Sequence, residues 1–121
     1  MNVTRVSVDL TTDGSGAAEG YTPIVNGLLD RIRYVKADFA DGVDFTVTLE
    51  DTGETLWAEE NVNAAAVRAP RQATHTTAGA AALYAGSGVA VLDRIAVAGR
   101  IKVVVASGGA AKTGAIWVEV V

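Results

Sequence analysis

The fold class follows most clearly from the segment Val43-Asp44-Phe45-Thr46-Val47-Thr48-Leu49-Glu50. Apolar side chains occupy every odd-numbered position in it, and polar side chains occupy every even-numbered one. Successive side chains of a strand point to opposite faces of a sheet, so this pattern predicts a strand with one buried and one solvated face. Asp51-Thr52-Gly53-Glu54 has the composition of a turn, and residues 55–60 return with Trp57, which predicts a β-hairpin.

The same period of two recurs along the chain, separated by short runs rich in Gly, Asp, Asn and Ser. It predicts further strands over residues 3–10, 28–36, 89–98, 100–106 and 115–121. In 28–36, the more core-like set is Leu28, Asp30, Ile32 and Tyr34. We therefore expect an all-β protein, with residues 1–121 forming a single-domain β-sandwich or jelly roll of roughly seven to eight antiparallel strands.

Three segments depart from this alternation. Residues 13–20 hold little apolar bulk and much Gly, which predicts a flexible loop. Residues 61–69 are Ala-rich and end at Pro70, and they favour a short strand over a helix. Residues 74–85 are compatible with either a short helix or an extended loop.

Charge and composition narrow the function classes. The net charge of −4 argues against binding to nucleic acid or to an anionic membrane, because both need clustered Lys and Arg. The chain is 50% hydrophobic and only 20% charged, which predicts that a partner covers part of its surface. The N-terminal residues enter a strand-like alternation at once, so we expect a soluble protein without a secretory signal.

The chemistry of catalysis is missing from the sequence. It has no cysteine, and its one histidine, His75, has no neighbouring carboxylate that would complete a metal site or a catalytic triad. Ser15 and Ser87 lie between glycines in turn-like segments and lack the context of a nucleophile. Residues 108–114 miss the Gly that a phosphate loop needs before Lys112. We therefore expect no enzyme, no cofactor and no metal.

The second half of the chain resembles small virion proteins of tailed bacteriophages, of the capsid decoration or cement type. The similarity covers residues 28–121 and is strongest from residue 70 onward. The sequence segments on which the similarity rests are Pro70-Arg71, His75, Leu83-Tyr84-Ala85, Val91-Leu92-Asp93-Arg94-Ile95-Ala96-Val97-Ala98, Arg100-Ile101-Lys102-Val103-Val104-Val105-Ala106, Gly108-Gly109 and Lys112-Thr113-Gly114.

The resemblance implies a jelly-roll or β-sandwich protein that binds the outer surface of an assembled phage head and strengthens the shell. Its expected partners are the major capsid protein and further copies of itself, in a trimer. Weak contacts suffice for such a protein, because many copies bind one shell. The candidate interface residues, in and near the N-terminal strand and in the segment from 68 to 75, are Arg5, Tyr21, Arg68, Arg71 and His75. Arg68 and Arg71 have the fork geometry that would pair with carboxylates of a neighbouring subunit.

Two other functions stay open at this point. The same kind of sandwich also occurs in tail, baseplate and head-fibre-base proteins of phages. A carbohydrate-binding module is the alternative from another class, and its sugar-stacking platform would have to come from Trp57, Tyr21, Tyr34, Tyr84 and Trp117.

Overall fold

The structure is a computed structural model that describes residues 2–86 and 88–121. Those residues form strands, turns and loops, and no helix among them is long and apolar enough to span a membrane. The strands are β1 (Thr4–Thr11), β2 (Ala18–Tyr21), β3 (Val25–Lys36), β4 (Val43–Leu49), β5 (Thr55–Val62), β6 (Ala66–Arg68), β7 (Gln72–Ala73), β8 (Leu92–Asp93), β9 (Ile95–Gly99), β10 (Ile101–Ala106) and β11 (Thr113–Val120). The prediction of an all-β fold is confirmed.

Two antiparallel sheets face each other across the core. The first has the order β1-β11-β3, and the long strand β3 then pairs with β9 along its first half and with β6 along its second. The second sheet has the order β2-β10-β4-β5. The predicted β-sandwich is therefore confirmed, with more and shorter strands than the seven or eight expected.

The segment 43–50, from which the fold class was predicted, contributes β4 to the second sheet, between β10 and β5. All four of its apolar side chains are buried, and its hairpin partner β5 follows directly, as predicted. Phe45 is at the centre of an aromatic cluster, with its ring centroid 4.6 Å from that of Tyr34 and 5.3 Å from that of Trp57. Phe39 completes the cluster from the loop before β4.

A β-bulge at Asp30 changes which residues of β3 reach the core. Arg31 pairs with Glu119 of β11, but the next pair joins Leu29 to Val120, so Asp30 is an extra residue on its strand. As a result Leu29 is completely buried while Leu28 is 40% exposed. The predicted core set was wrong for Leu28 and Asp30, since a strict alternation does not anticipate a bulge.

The predicted loop at residues 13–20 differs from the structure in its second half, where Ala18–Tyr21 is β2 and pairs with β10. Before it, the Asp13 carboxylate accepts hydrogen bonds from the N–H groups of Ser15, at 2.8 Å, and Ala17, at 3.1 Å. Position 20 has to be a small residue, because a Cβ atom there would lie 2.6 Å from Val8 Cγ1. The absence of a side chain at Gly20 therefore lets β1 pack closely against β2. The flexibility of the segment stays a prediction.

Candidate protein-binding surfaces

Residues 72–93 leave the sandwich after β6 and return to it at β9, and we call this segment the arm. At its base β7 pairs with β8 and with no other strand of the described chain. Farther out, isolated bridges join His75 to Ala81 and Leu83 to Ala90. The segment 74–85 is therefore extended, and the helix alternative for it was wrong. Ser87, interpreted from the sequence as a turn residue, lies outside the described residues.

The arm satisfies its own backbone but buries almost nothing. The amide of Thr74 donates to the carbonyl of Val91 at 2.9 Å, and the amide of Ala82 donates to the carbonyl of Thr74 at 3.0 Å. None of its described side chains is buried. Four of its large apolar side chains are between 40% and 62% exposed, and they are Leu83, Tyr84, Val89 and Leu92. A segment of this kind offers apolar surface that a partner protein would remove from water.

A second surface lies on the outer face of the first sheet, around Glu119 of β11. Its side chain is only 4% exposed, because guanidinium groups from both neighbouring strands cover it. Arg33 Nε donates to Glu119 Oε1 at 2.7 Å, and Arg5 Nη2 donates to Oε2 at 3.2 Å. Arg31 Nε lies 3.4 Å from the same carboxylate. Arg5 also lies over the ring of Trp117, 4.5 Å from its centroid.

The bulge residue Asp30 extends this cluster toward the base of the arm. Arg31 Nε is 3.3 Å from one of its carboxylate oxygens, and Arg94 Nε is 3.5 Å from the other. Arg71 Nη2 is 3.9 Å away, and its Nη1 donates to the backbone carbonyl of Asp30 at 3.1 Å. The bulge therefore positions one carboxylate where it organises three arginines.

We call the resulting surface the arginine face, formed by Arg5, Arg31, Arg33, Arg71 and Arg94. Five guanidinium groups surround two carboxylates, which leaves three positive charges in excess. All five side chains are between 29% and 49% exposed. In a chain of net charge −4, this local excess makes the charge distribution strongly uneven.

The structure brings only part of the predicted interface set together. Arg5 and Arg71 belong to the arginine face, whereas His75 lies in the arm, where an isolated bridge joins it to Ala81. Arg68 binds Glu59 of the same chain through two hydrogen bonds, of 2.8 and 2.9 Å. The guanidinium group of Arg68 is therefore already paired with a carboxylate of the same chain.

Tyr21 lies apart from this group, on β2 in the second sheet. Its hydroxyl donates to Glu19 at 2.7 Å, and the guanidinium of Arg100 lies 4.3 Å from its ring centroid. Two of the other aromatic residues considered for sugar stacking, Tyr34 and Trp57, are buried in the core. These aromatic side chains therefore do not gather into one exposed platform.

Two concave sites on the described surface are small and carry little chemistry. The larger is a depression of about 280 Å³ whose one titratable side chain is Asp9. The other, about 220 Å³, lies beside Ile24 and has no titratable side chain in its lining. Within residues 2–86 and 88–121, no three His, Cys, Asp or Glu residues converge to hold a metal ion.

Comparison with known proteins adds no family. No family model matches the sequence, and no curated protein matches it. A crystal structure of FlhE is similar to this chain over 99% of this chain and 98% of that one, with 6% identity and a TM-score of 0.45. A likeness of this degree carries no argument about function.

Sequence reasoning missed most of the arginine face. The spacing of Arg31 and Arg33 placed both on one side of β3, and this was a usable signal. Glu119 gave a second signal, since it is the one charged residue in the last strand. What the sequence does not show is that β11 lies between β1 and β3, which makes Glu119 the meeting point of arginines from both sides.

Glu119→Gln should lower the free energy of unfolding by about 1–3 kcal/mol near neutral pH, because it leaves partly buried guanidinium groups without their anion. The hydrogen bond from Arg33 is the main reason why the pKa of Glu119 lies below its ordinary value of 4.5. A lowered pKa contributes stability above the ordinary pKa, and this stability is lost as the pH falls through the pKa of the folded state.

The measurement is urea denaturation of both proteins over a pH series. The difference between wild type and Glu119→Gln should be constant at pH values well above the ordinary pKa of 4.5, and it should shrink as the pH falls below that value and Glu119 becomes protonated. A difference of the same size at every pH would show that the charge of Glu119 is not what stabilises this face.

Proposed function

We propose that this chain is a structural module that binds other protein surfaces and catalyses no reaction. The observation that carries the proposal is the arm, which exposes four large apolar side chains and buries none of its described ones. A free protein gains nothing from keeping such residues in water, whereas a partner that covers them gains roughly 25 cal/mol per Å² of apolar area. The arm's own backbone hydrogen bonds hold it in an extended form, which reduces the ordering cost of binding.

The more specific proposal is a capsid decoration or cement protein located on the outer surface of a phage head. The sequence segments that resemble such proteins support it, and several of these segments lie in the arm and in the strands that follow it. Its partners would be the major capsid protein and further copies of the chain. The sandwich would supply a rigid base, and the arm would supply the contact with the shell.

A tail, baseplate or head-fibre-base protein is the second candidate from the same structural class. It would use the same arm against a different partner. The two candidates differ only in the surface that the arm recognises, so a binding experiment separates them.

The experiment is co-sedimentation with empty shells assembled from the major capsid protein of the phage that encodes this chain. We expect saturable binding to the shells, and no binding to shells of an unrelated phage as the control. Failure to sediment with the matching shells, for a folded sample at a concentration that should saturate them, would contradict the head assignment. Binding to isolated tails instead would favour the second candidate.

A further inference from the structure

Charge is unevenly divided between the arginine face and the rest of the chain. The arginine face of the first sheet has three positive charges in excess. The rest of the chain holds five basic and twelve acidic residues, and so carries a net charge of −7. The net charge of −4 therefore conceals two regions of opposite sign.

Much of the negative charge is in one hairpin. Residues 43–62, which form β4, β5 and their turn, contain six acidic residues and no basic one, and we call this segment the acidic hairpin. Glu50 pairs with Arg100 and Glu59 pairs with Arg68. The four others form no ion pair within the described chain, and they are Asp44, Asp51, Glu54 and Glu60. Because β5 is the last strand of its sheet, the hairpin lies at an edge.

We propose that the arginine face of one copy of this chain docks against the acidic hairpin of a second copy. An excess of three positive charges meets an excess of four negative ones, and arginine forks suit carboxylates. Two arginine faces pressed together would instead place like charges opposite each other. Since one copy carries both surfaces at different places, the contact is head to tail, and each copy can bind two neighbours.

This inference deepens the proposed function, because it names the surfaces through which copies would associate. A head-to-tail contact forms a ring when its rotation closes. The trimer that the phage resemblance implies would repeat this one contact three times. The arm takes no part in it and would stay free for a different partner.

Two variants each disable one surface. Arg71→Gln with Arg94→Gln reduces the excess of the arginine face from three charges to one. Glu54→Lys with Glu60→Lys offsets the excess of the acidic hairpin. Lys102→Gln with Lys112→Gln is the control, because it removes two positive charges outside both surfaces.

The experiment measures molecular mass by light scattering and by sedimentation velocity over a series of concentrations at low salt. We expect the wild type and the control to associate, and their association to weaken with salt because screening shortens the range of the attraction. Each surface variant should associate roughly tenfold more weakly or worse. An equimolar mixture of the two variants should form a heterodimer and stop there, since it contains one intact pair of surfaces.

Three results would overturn the inference. They are a wild type that stays monomeric at low salt, surface variants that associate as the wild type does, and a mixture that forms no heterodimer although the wild type associates. Thermal melting of each variant shows whether it is folded, and the single change Arg94→Gln replaces the double variant if that one is unstable. Shell binding through the arm is measured separately, so the inference can fail while the proposed function holds.

Discussion

Phe45→Ala is expected to lower the free energy of unfolding by about 3–5 kcal/mol, the largest loss of stability foreseen for this chain. Phe45 is 1% exposed and contacts the rings of Tyr34 and Trp57. Truncation removes its apolar area from the core and leaves a cavity that the surrounding strands close only in part. Urea denaturation of wild type and variant measures the difference directly.

The matched control for this change is the next residue. Thr46 lies on the same strand, but it is exposed on the outer face of the sheet. Thr46→Ala should change the free energy of unfolding by no more than about 0.5 kcal/mol. Similar losses for both variants would contradict the alternation of buried and exposed positions on which the fold depends.

If the arm binds a capsid shell as proposed, Val89→Ser with Leu92→Ser should weaken that binding by about a hundredfold or more. Both side chains are more than half exposed in the free chain. If a partner buries them, each contributes roughly 1.5–3 kcal/mol of apolar transfer free energy. Their combined loss corresponds to at least two orders of magnitude in Kd. Co-sedimentation with capsid shells over a range of concentrations gives both values of Kd.

Ile24→Ser with Val67→Ser is the matched control for the arm variant. Both residues are exposed apolar residues of similar size, and both lie outside the arm. The control should bind shells as the wild type does, and the melting temperatures of both variants should stay close to that of the wild type. Equal weakening by arm and control variants would show that exposed apolar area in general, and not the arm, determines binding.

The regular part of the fold was predictable because it follows from local chemistry. The alternation in residues 43–50 fixes which side chains of β4 are buried, and the turn at 51–54 fixes its partner β5. Both results need only the period of a strand and the composition of a turn. The same reasoning gave the all-β class and the sandwich.

The irregular part was not predictable from such rules. The bulge at Asp30 depends on pairing with β11, a strand more than 80 residues away in sequence. The arm keeps apolar residues exposed, so hydrophobicity there does not report burial. Gly20 was interpreted as a loop residue because glycine is common in loops. In the folded chain its small size instead allows close contact with Val8, and the sequence does not show this contact.

The candidate interface was predicted only in part, because some of its residues come together only in the folded chain. Arg71 and His75 were found because they lie close together in an unusual polar stretch. Arg33 and Arg94 were missed because they meet the others only through the carboxylates of Glu119 and Asp30. A surface that comes from three strands and from the two residues that flank the arm leaves no contiguous signal in the sequence.

If the chain is the phage protein proposed above, electron cryo-microscopy of the complete particle tests whether it is a structural module whose arm binds another protein of the assembly. We expect density for the sandwich on the outer surface of the head, with residues 72–93 pressed against the major capsid protein. Density with the arm pointing into solvent, or no density for this chain anywhere in the particle, would contradict it.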